Sequence, residues 1–268
     1  MIKKLFMNIL NYGADPCGPV RPHQVLAGPQ AGKPTSLTGY KLWDIIRTED
    51  TSPHTAKWWP SWWGLVPRKD NMKIKEAKQI TGSMTRTSKM PGLSYSLPAW
   101  ECKTGSKLRK VKNSVCSMCY ALKGNYTRYK AIKAAQYVRL KSINHQLWTA
   151  AMVAQVKRQK YFRWHDAGDV QSLVHLNKIY EVCRLTPDTN HWMPTREAWI
   201  KDHLAEKPKN LVIRFSPPMI NQRNDSWPNS SMVVLKDATC PAPSQGGKCG
   251  DCRACWDPKV KVVSYGKH

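Results

Sequence analysis

Residues 161–195 read YFRWHDAGDVQSLVHLNKIYEVCRLTPDTNHWMPT. Leu173, Leu176, Ile179, Tyr180 and Cys183 recur at helical spacing, and Pro187 stops the run. Aromatic and apolar stretches, YFRW and HWMPT, flank it on either side. The segment therefore predicts strand, helix, strand. Working outward, EAWIKDHLAEK predicts a helix over 197–207 and NLVIRFS a strand over 210–216. SMVVL and VKVVSYG predict strands over 231–235 and 260–266. Tyr126 to Lys160 reads as one or two helices, with Ile132, Ile143, Leu147, Ala150 and Ala154 on the apolar side. Residues 81–100 are polar, contain two prolines and read as loop. Strands alternating with helices predict an α/β fold with a parallel sheet, either a (β/α) barrel-like or partial barrel or an open sheet. Residues 1–75 form a Trp/Pro-rich N-terminal extension, with one short helix expected around Leu42 to Ile46. Its TAKWWPSWWGLVP stretch suits packing or docking better than catalysis. Residues 76–268 form the basic α/β catalytic domain.

The charge excludes some classes and favours others. The chain has 268 residues, with 43 Lys+Arg against 18 Asp+Glu, a formal net charge of +25. Twelve Trp and 41% hydrophobic residues exclude an acidic disordered chain. No stretch is long and apolar enough for a membrane span, and the basic MIKKLFMNIL lacks the apolar region of a signal peptide. A host-cell cytoplasmic location is expected. From Cys102 to His165 there is no Asp or Glu, while fifteen Lys and Arg occur there. Tyr120, Tyr126, Tyr129, Tyr137, Trp148, Tyr161 and Trp164 are interleaved with them. Cations that contact phosphate and rings that stack on bases together predict a nucleic-acid partner rather than a membrane surface. Lys107, Arg109, Lys110, Lys112, Arg128 and Lys130 are the candidate contacts.

Seven of nine cysteines fall in two groups. Cys240, Cys249, Cys252 and Cys255 provide four thiolates within the loop 240–256, enough to close a tetrahedral zinc site or to hold a [4Fe–4S] cluster. Cys116 and Cys119 form a second pair, with Cys102 a third ligand and no fourth. That set can be completed by a histidine, left open for a substrate, or be reduced thiols in a turn. Cys183 reads as core, and Cys17 has no partner pattern.

In a parallel α/β sheet, ligands sit at the carboxyl ends of strands. His165, Asp166 and Asp169 follow the strand at 161–164, with Gly168 permitting a sharp turn. Carboxylates beside a basic surface can serve as nucleophile, general base or metal ligand. Asp169 can instead cap the helix that begins near Leu173. Thr195, Arg196 and Glu197 are expected at the same edge, and Arg214 and Ser216 beside them. No glycine-rich dinucleotide or Walker motif is present.

Three sets of residues carry resemblances. Cys116 to Ala121 (CSMCYA), Trp164 to Ser172 (WHDAGDVQS) and Pro194 to Glu197 (PTRE) resemble a bacteriophage protein family known by a numbered gene product. Asp166 to Gln171 (DAGDVQ) is similar to the Asp-Ser-Gly-Gly-Phe-Gln motif of the tRNA-guanine transglycosylases. Those are zinc-containing (β/α) barrels that exchange guanine for a 7-deazaguanine, and phage relatives act on DNA. That resemblance implies that Asp166 helps exchange the base and that Gln171 contacts it. It also implies a 7-deazaguanine base as the small-molecule substrate. The family's nucleophilic aspartate has Asn190 in its place here. Cys116-x2-Cys119-Tyr also resembles the start of radical S-adenosylmethionine barrels, whose Cys-x3-Cys-x2-Cys spacing Cys102 does not meet.

Three functions follow as expectations. The first is a phage DNA guanine transglycosylase with Asp166 and Asp169 catalytic, His165 and Arg196 positioning, and zinc as metal. The second is an iron–sulfur enzyme of the radical S-adenosylmethionine kind acting on nucleic acid. The third is a zinc module that binds nucleic acid without catalysis.

Overall fold

The computed structural model describes residues 71–267. The expected helix at Leu42 to Ile46, the tryptophan-rich stretch and Cys17 lie outside the described residues.

Seven strands form one sheet whose spatial order equals the chain order. They are β1 (Thr85–Arg86), β2 (Leu93–Tyr95), β3 (Tyr161–Trp164), β4 (Asn190–Thr195), β5 (Leu211–Phe215), β6 (Ser230–Val234) and β7 (Val262–Gly266). β1 pairs antiparallel with β2, and every later pair is parallel. The barrel expectation is thus met only as far as consecutive parallel winding: the sheet stays open. Residues 81–100, expected to be loop, contribute β1 and β2. These strands are too short for alternation to show in sequence; β2 is held by pairing with β3, and β1 by pairing with β2.

The helices are α1 (Ile74–Thr81), α2 (Lys103–Leu108), α3 (Asn125–Arg128), α4 (Lys130–Ser142), α5 (Trp148–Val156) and α6 (Leu173–Arg184). α2 to α5 all lie between β2 and β3. The expected helix at 197–207 is instead 3₁₀ from Ala198 to Glu206. Ser172 caps α6 by accepting from His175 N at 3.2 Å, so Asp169 is not the cap. Leu173, expected on the buried side of α6, is exposed, and so is Ile132 on α4.

Strand alternation divides the core in two. Phe162, Trp164, Met193, Leu211, Ile213 and Phe215 pack with Trp148, Met152, Leu176 and Ile179 of the helices. Burying such side chains stabilises by about 1.5–3 kcal/mol each. The neighbouring strand positions face the opposite way. There Trp192 packs with Met90 and Trp256, and Tyr161, Cys249, Cys255 and Tyr265 border them. The cysteine loop therefore covers the sheet face that the helices leave open.

Candidate functional site at the carboxyl edge

Asp166 and Asp169 leave β3 together but have different surroundings. Asp169 is buried, and both its oxygens are used: Oδ1 accepts from Val170 N at 2.8 Å and Thr195 Oγ1 at 2.8 Å, and Oδ2 from Arg196 N at 2.8 Å. Burial pushes its carboxyl up to about 6, although these hydrogen bonds pull the other way. It ties the end of β3 to the end of β4. Asp166 accepts from the Tyr126 hydroxyl at 3.0 Å on Oδ2, while its buried Oδ1 has no partner. Its backbone carbonyl accepts from the Tyr120 hydroxyl. Burial raises its carboxyl, opposed first by the Arg163 charge. Gly168 makes the turn at φ +82°, and a Cβ there would lie 2.5 Å from Leu97 Cβ.

The other predicted residues divide. His165 sits at φ +54°, a left-handed conformation unusual for a non-glycine residue. Both its ring nitrogens are buried without partners, and burial holds it neutral, down to about 3. Gln171 is turned back onto its own loop, donating to the Asp169 carbonyl at 2.8 Å. Arg196 donates to the carbonyls of Ser216 and Pro217 at 3.0 and 2.7 Å, so its guanidinium fixes the end of β5. Arg214, expected at this edge, points instead into the cysteine loop. It donates to the carbonyls of Ala254, Cys255, Asp257 and Val260 at 2.7 to 3.0 Å. Arginine is the only side chain with donors arranged to reach so many carbonyls at once.

Cys102, Cys116 and Cys119 come together at the same edge. Cys102 precedes α2, and Cys116 and Cys119 bracket a single 3₁₀ turn. A Cβ on Gly105 would lie 2.9 Å from Cys102 Cβ, 3.6 Å from its Sγ and 3.7 Å from Cys116 Sγ. The contact that a Cβ could not make is the one with Cys102 Cβ; both sulfurs would lie at ordinary contact distance. Burial pushes the Cys102 thiol well up, and Asp169, Cys119, Cys116 and Glu197 add to the shift. Cys116 is also raised by burial, against the pull of Arg196. Three thiols and two carboxylates thus share a poorly solvated region with Arg196 the main opposing charge.

Cys240, Cys249, Cys252 and Cys255 are all partly buried. Cys240 N donates to Ser264 O at 3.0 Å and Cys249 N to Lys89 O at 2.9 Å, which anchors the loop to β7 and to the β1–β2 turn. Cys255 Sγ lies 3.1 Å from the Tyr265 hydroxyl. Burial pushes the Cys255 thiol up to about 11. Among the described residues, no three His, Cys, Asp or Glu side chains surround one point closely enough to hold a single metal ion.

Lys107, Lys110, Lys112, Arg128 and Lys130 are exposed, as a polyanion-binding surface requires. Arg109 departs from the expectation: it is half-buried and donates to Ala99 O at 3.3 Å. Sequence reasoning gave no particular role to Arg163. Its guanidinium stacks on Trp192 at 4.5 Å and donates to the Tyr120 hydroxyl at 3.4 Å, and its buried Nε has no partner. The lone cation inside an apolar strand, YFRW, was the available signal.

No helix among the described residues is long and apolar enough to cross a membrane. No curated protein and no solved structure matches the chain. A family model does match, over residues 65–234, so the chain belongs to the phage family described as Gene product 88.

Proposed function

We propose that this chain is an iron–sulfur enzyme that modifies nucleic acid. The convergence of Cys102, Cys116 and Cys119 at the carboxyl edge carries the reading. Their loop follows β2, the first strand of the parallel run. Asp166, with its unpaired oxygen, belongs to the next strand end. A [4Fe–4S] cluster is commonly held by cysteine thiolates. Three protein thiolates leave one iron open. When bound, such a cluster supplies one-electron chemistry to a cofactor such as S-adenosylmethionine. The resemblance of Cys116-x2-Cys119-Tyr120 to radical S-adenosylmethionine barrels points the same way, and so does the open, consecutively wound sheet. The exposed Lys107, Lys110, Lys112, Arg128 and Lys130 bind the phosphates of the substrate.

Metal and sulfide analysis of anaerobically purified protein, with its visible spectrum, tests this. Iron with matching sulfide and absorbance at about 400 nm is expected, as for clusters in general. A colourless protein containing zinc alone overturns it.

The unpaired Asp166 Oδ1 favours a second reading, exchange of a guanine for a 7-deazaguanine in DNA with zinc as the only metal. In it Asp166 alone is available as the reacting carboxylate, since Asp169 is fully hydrogen-bonded. Digestion of treated phage DNA to nucleosides separates the two: a 7-deazaguanine nucleoside formed without iron supports the exchange.

A further inference from the structure

We infer that the chain binds a phosphorylated ligand of nucleotide size at the amino edge of the sheet, the edge opposite Asp166. A cavity of about 440 Å³ opens there, between the β1–β2 turn and the segment that leads from α5 into β3. Its wall includes Arg86, Thr87, Ser88, Met90, Leu93 and Gln159. That volume is in the range of small-ligand sites. No cysteine lines it, so the inference does not rest on the cluster reading. It is also separate from the Lys107, Lys110 and Lys112 surface, which follows the other end of β2.

The wall is held by packing from two sides. A Cβ on Gly92 would lie 1.9 Å from the Tyr161 carbonyl oxygen, so glycine is what lets β2 start this close to β3. Met90 is buried with Trp192 and Trp256, and Lys89 O accepts from Cys249 N at 2.9 Å. A site fixed in this way loses little freedom when a ligand enters.

The lining selects the ligand. Thr87 Oγ1 is buried and has no hydrogen-bond partner. An unpaired buried hydroxyl is costly, and a ligand oxygen in the cavity satisfies it. Arg86 and Ser88, its neighbours in the chain, are both exposed. A guanidinium fork beside two hydroxyls matches the several oxygens of a phosphate. The charge points to the same ligand. Residues 82–94 and 157–165 contain no Asp or Glu, while Arg86, Lys89, Lys157, Arg158 and Lys160 lie within them. Among the described residues, no ion pair involves any of these five cations. Lys160 Nζ and Arg253 Cζ stand 6.0 and 5.0 Å from the Tyr161 ring, where β3 begins. Met90 and Leu93 add apolar wall and Gln159 an amide, which suit the ring attached to the phosphate.

The test titrates the full chain with ribonucleoside 5′-monophosphates, with the matching nucleosides, and with a short single-stranded DNA lacking a terminal phosphate. A monophosphate is expected to bind, and its nucleoside to bind at least about tenfold more weakly. Arg86→Ala should weaken monophosphate binding about tenfold or more, and Thr87→Val about threefold or more. Valine keeps the shape of threonine, and the lost hydroxyl has no protein partner, so the melting temperature of Thr87→Val should not fall. Weaker binding by that variant is then not a loss of fold. The triple change Lys107→Glu, Lys110→Glu, Lys112→Glu should leave monophosphate affinity unchanged. If Arg86→Ala and Thr87→Val weaken DNA binding as well, the phosphate in the cavity belongs to a strand. If they weaken the monophosphate alone, it belongs to a free nucleotide. The inference is wrong if nucleoside and monophosphate bind equally, or if both variants bind the monophosphate as the unmodified chain does. It is also wrong if no monophosphate binds at millimolar concentration and both variants keep full DNA affinity. Metal content enters none of these readouts, so this result and the iron analysis stand or fall separately.

Discussion

At Asp166, one carboxylate oxygen is buried without a partner, whereas three acceptor bonds three residues later occupy all of Asp169. The two substitutions should therefore behave oppositely. Asp166→Asn removes a poorly paired buried charge and should leave the melting temperature within a few degrees, yet abolish modification of nucleic acid. Asp169→Ala leaves Thr195 Oγ1 and two backbone N–H groups unsatisfied and should cost about 3 kcal/mol or more of stability. Urea melts of both, with nucleoside analysis of the product, check the pair. His191 supplies a pH prediction. It is buried and donates from Nε2 to the Thr186 hydroxyl at 2.9 Å, since that hydroxyl already donates to Val182 O. Its Nδ1 has no partner, and burial depresses its pKa to about 3. An unfolded histidine titrates at about 6.5. Between those values the unfolded chain binds the extra proton, so stability is full above the upper value and falls as pH drops towards the lower one. The contribution is at most roughly 4–5 kcal/mol. Melts across this range should show a shallower fall for His191→Gln, which cannot titrate.

At the scale of elements, two contacts decide whether the edge forms. Gly168 lets the loop after β3 lie against Leu97, whose N donates to Ala167 O at 2.8 Å. Gly168→Ala places a Cβ 2.9 Å from the Leu97 carbonyl oxygen in a left-handed backbone and should destabilise by about 2–4 kcal/mol. Its melting temperature is the measurement. Arg214 performs the corresponding task for the C-terminal cysteine loop. Arg214→Ala should cost about 3 kcal/mol or more. It should also loosen the loop, so that Cys249 and Cys255 are alkylated faster than in the unmodified chain. If their alkylation is unchanged, Arg214 is not what holds the loop.

Over the whole molecule, part of the charge of +25 lies on the basic segment between β2 and β3, where Lys107, Lys110 and Lys112 face solvent. Binding to DNA should weaken steeply with salt. The triple change Lys107→Glu, Lys110→Glu, Lys112→Glu should lower affinity and reduce the logarithmic salt slope by about 1 for each phosphate no longer neutralised. Equal slopes for the two proteins would place the polyanion elsewhere.

The α/β class, the strand–helix–strand unit at 161–195 and the last three strands follow from local patterning, because those segments bury one face with a regular period. The clustering of His165, Asp166 and Asp169 at a strand end was equally legible, since strand order and turn chemistry are local. Tertiary structure alone decided the rest. β2 exists because β3 offers it a partner, and β1 because β2 does. The Ala198–Glu206 segment is 3₁₀ although its side chains suggested an α-helix. Arg196 and Arg214 turn from ligand groups into braces because backbone carbonyls from distant loops happen to meet them. The first turn of α2, just after Cys102, is tied through Thr104 to Glu197, which follows the end of β4. Periodicity encodes which face is buried, whereas long-range hydrogen bonds depend on which strand ends the sheet brings side by side, and no spacing in the sequence records that.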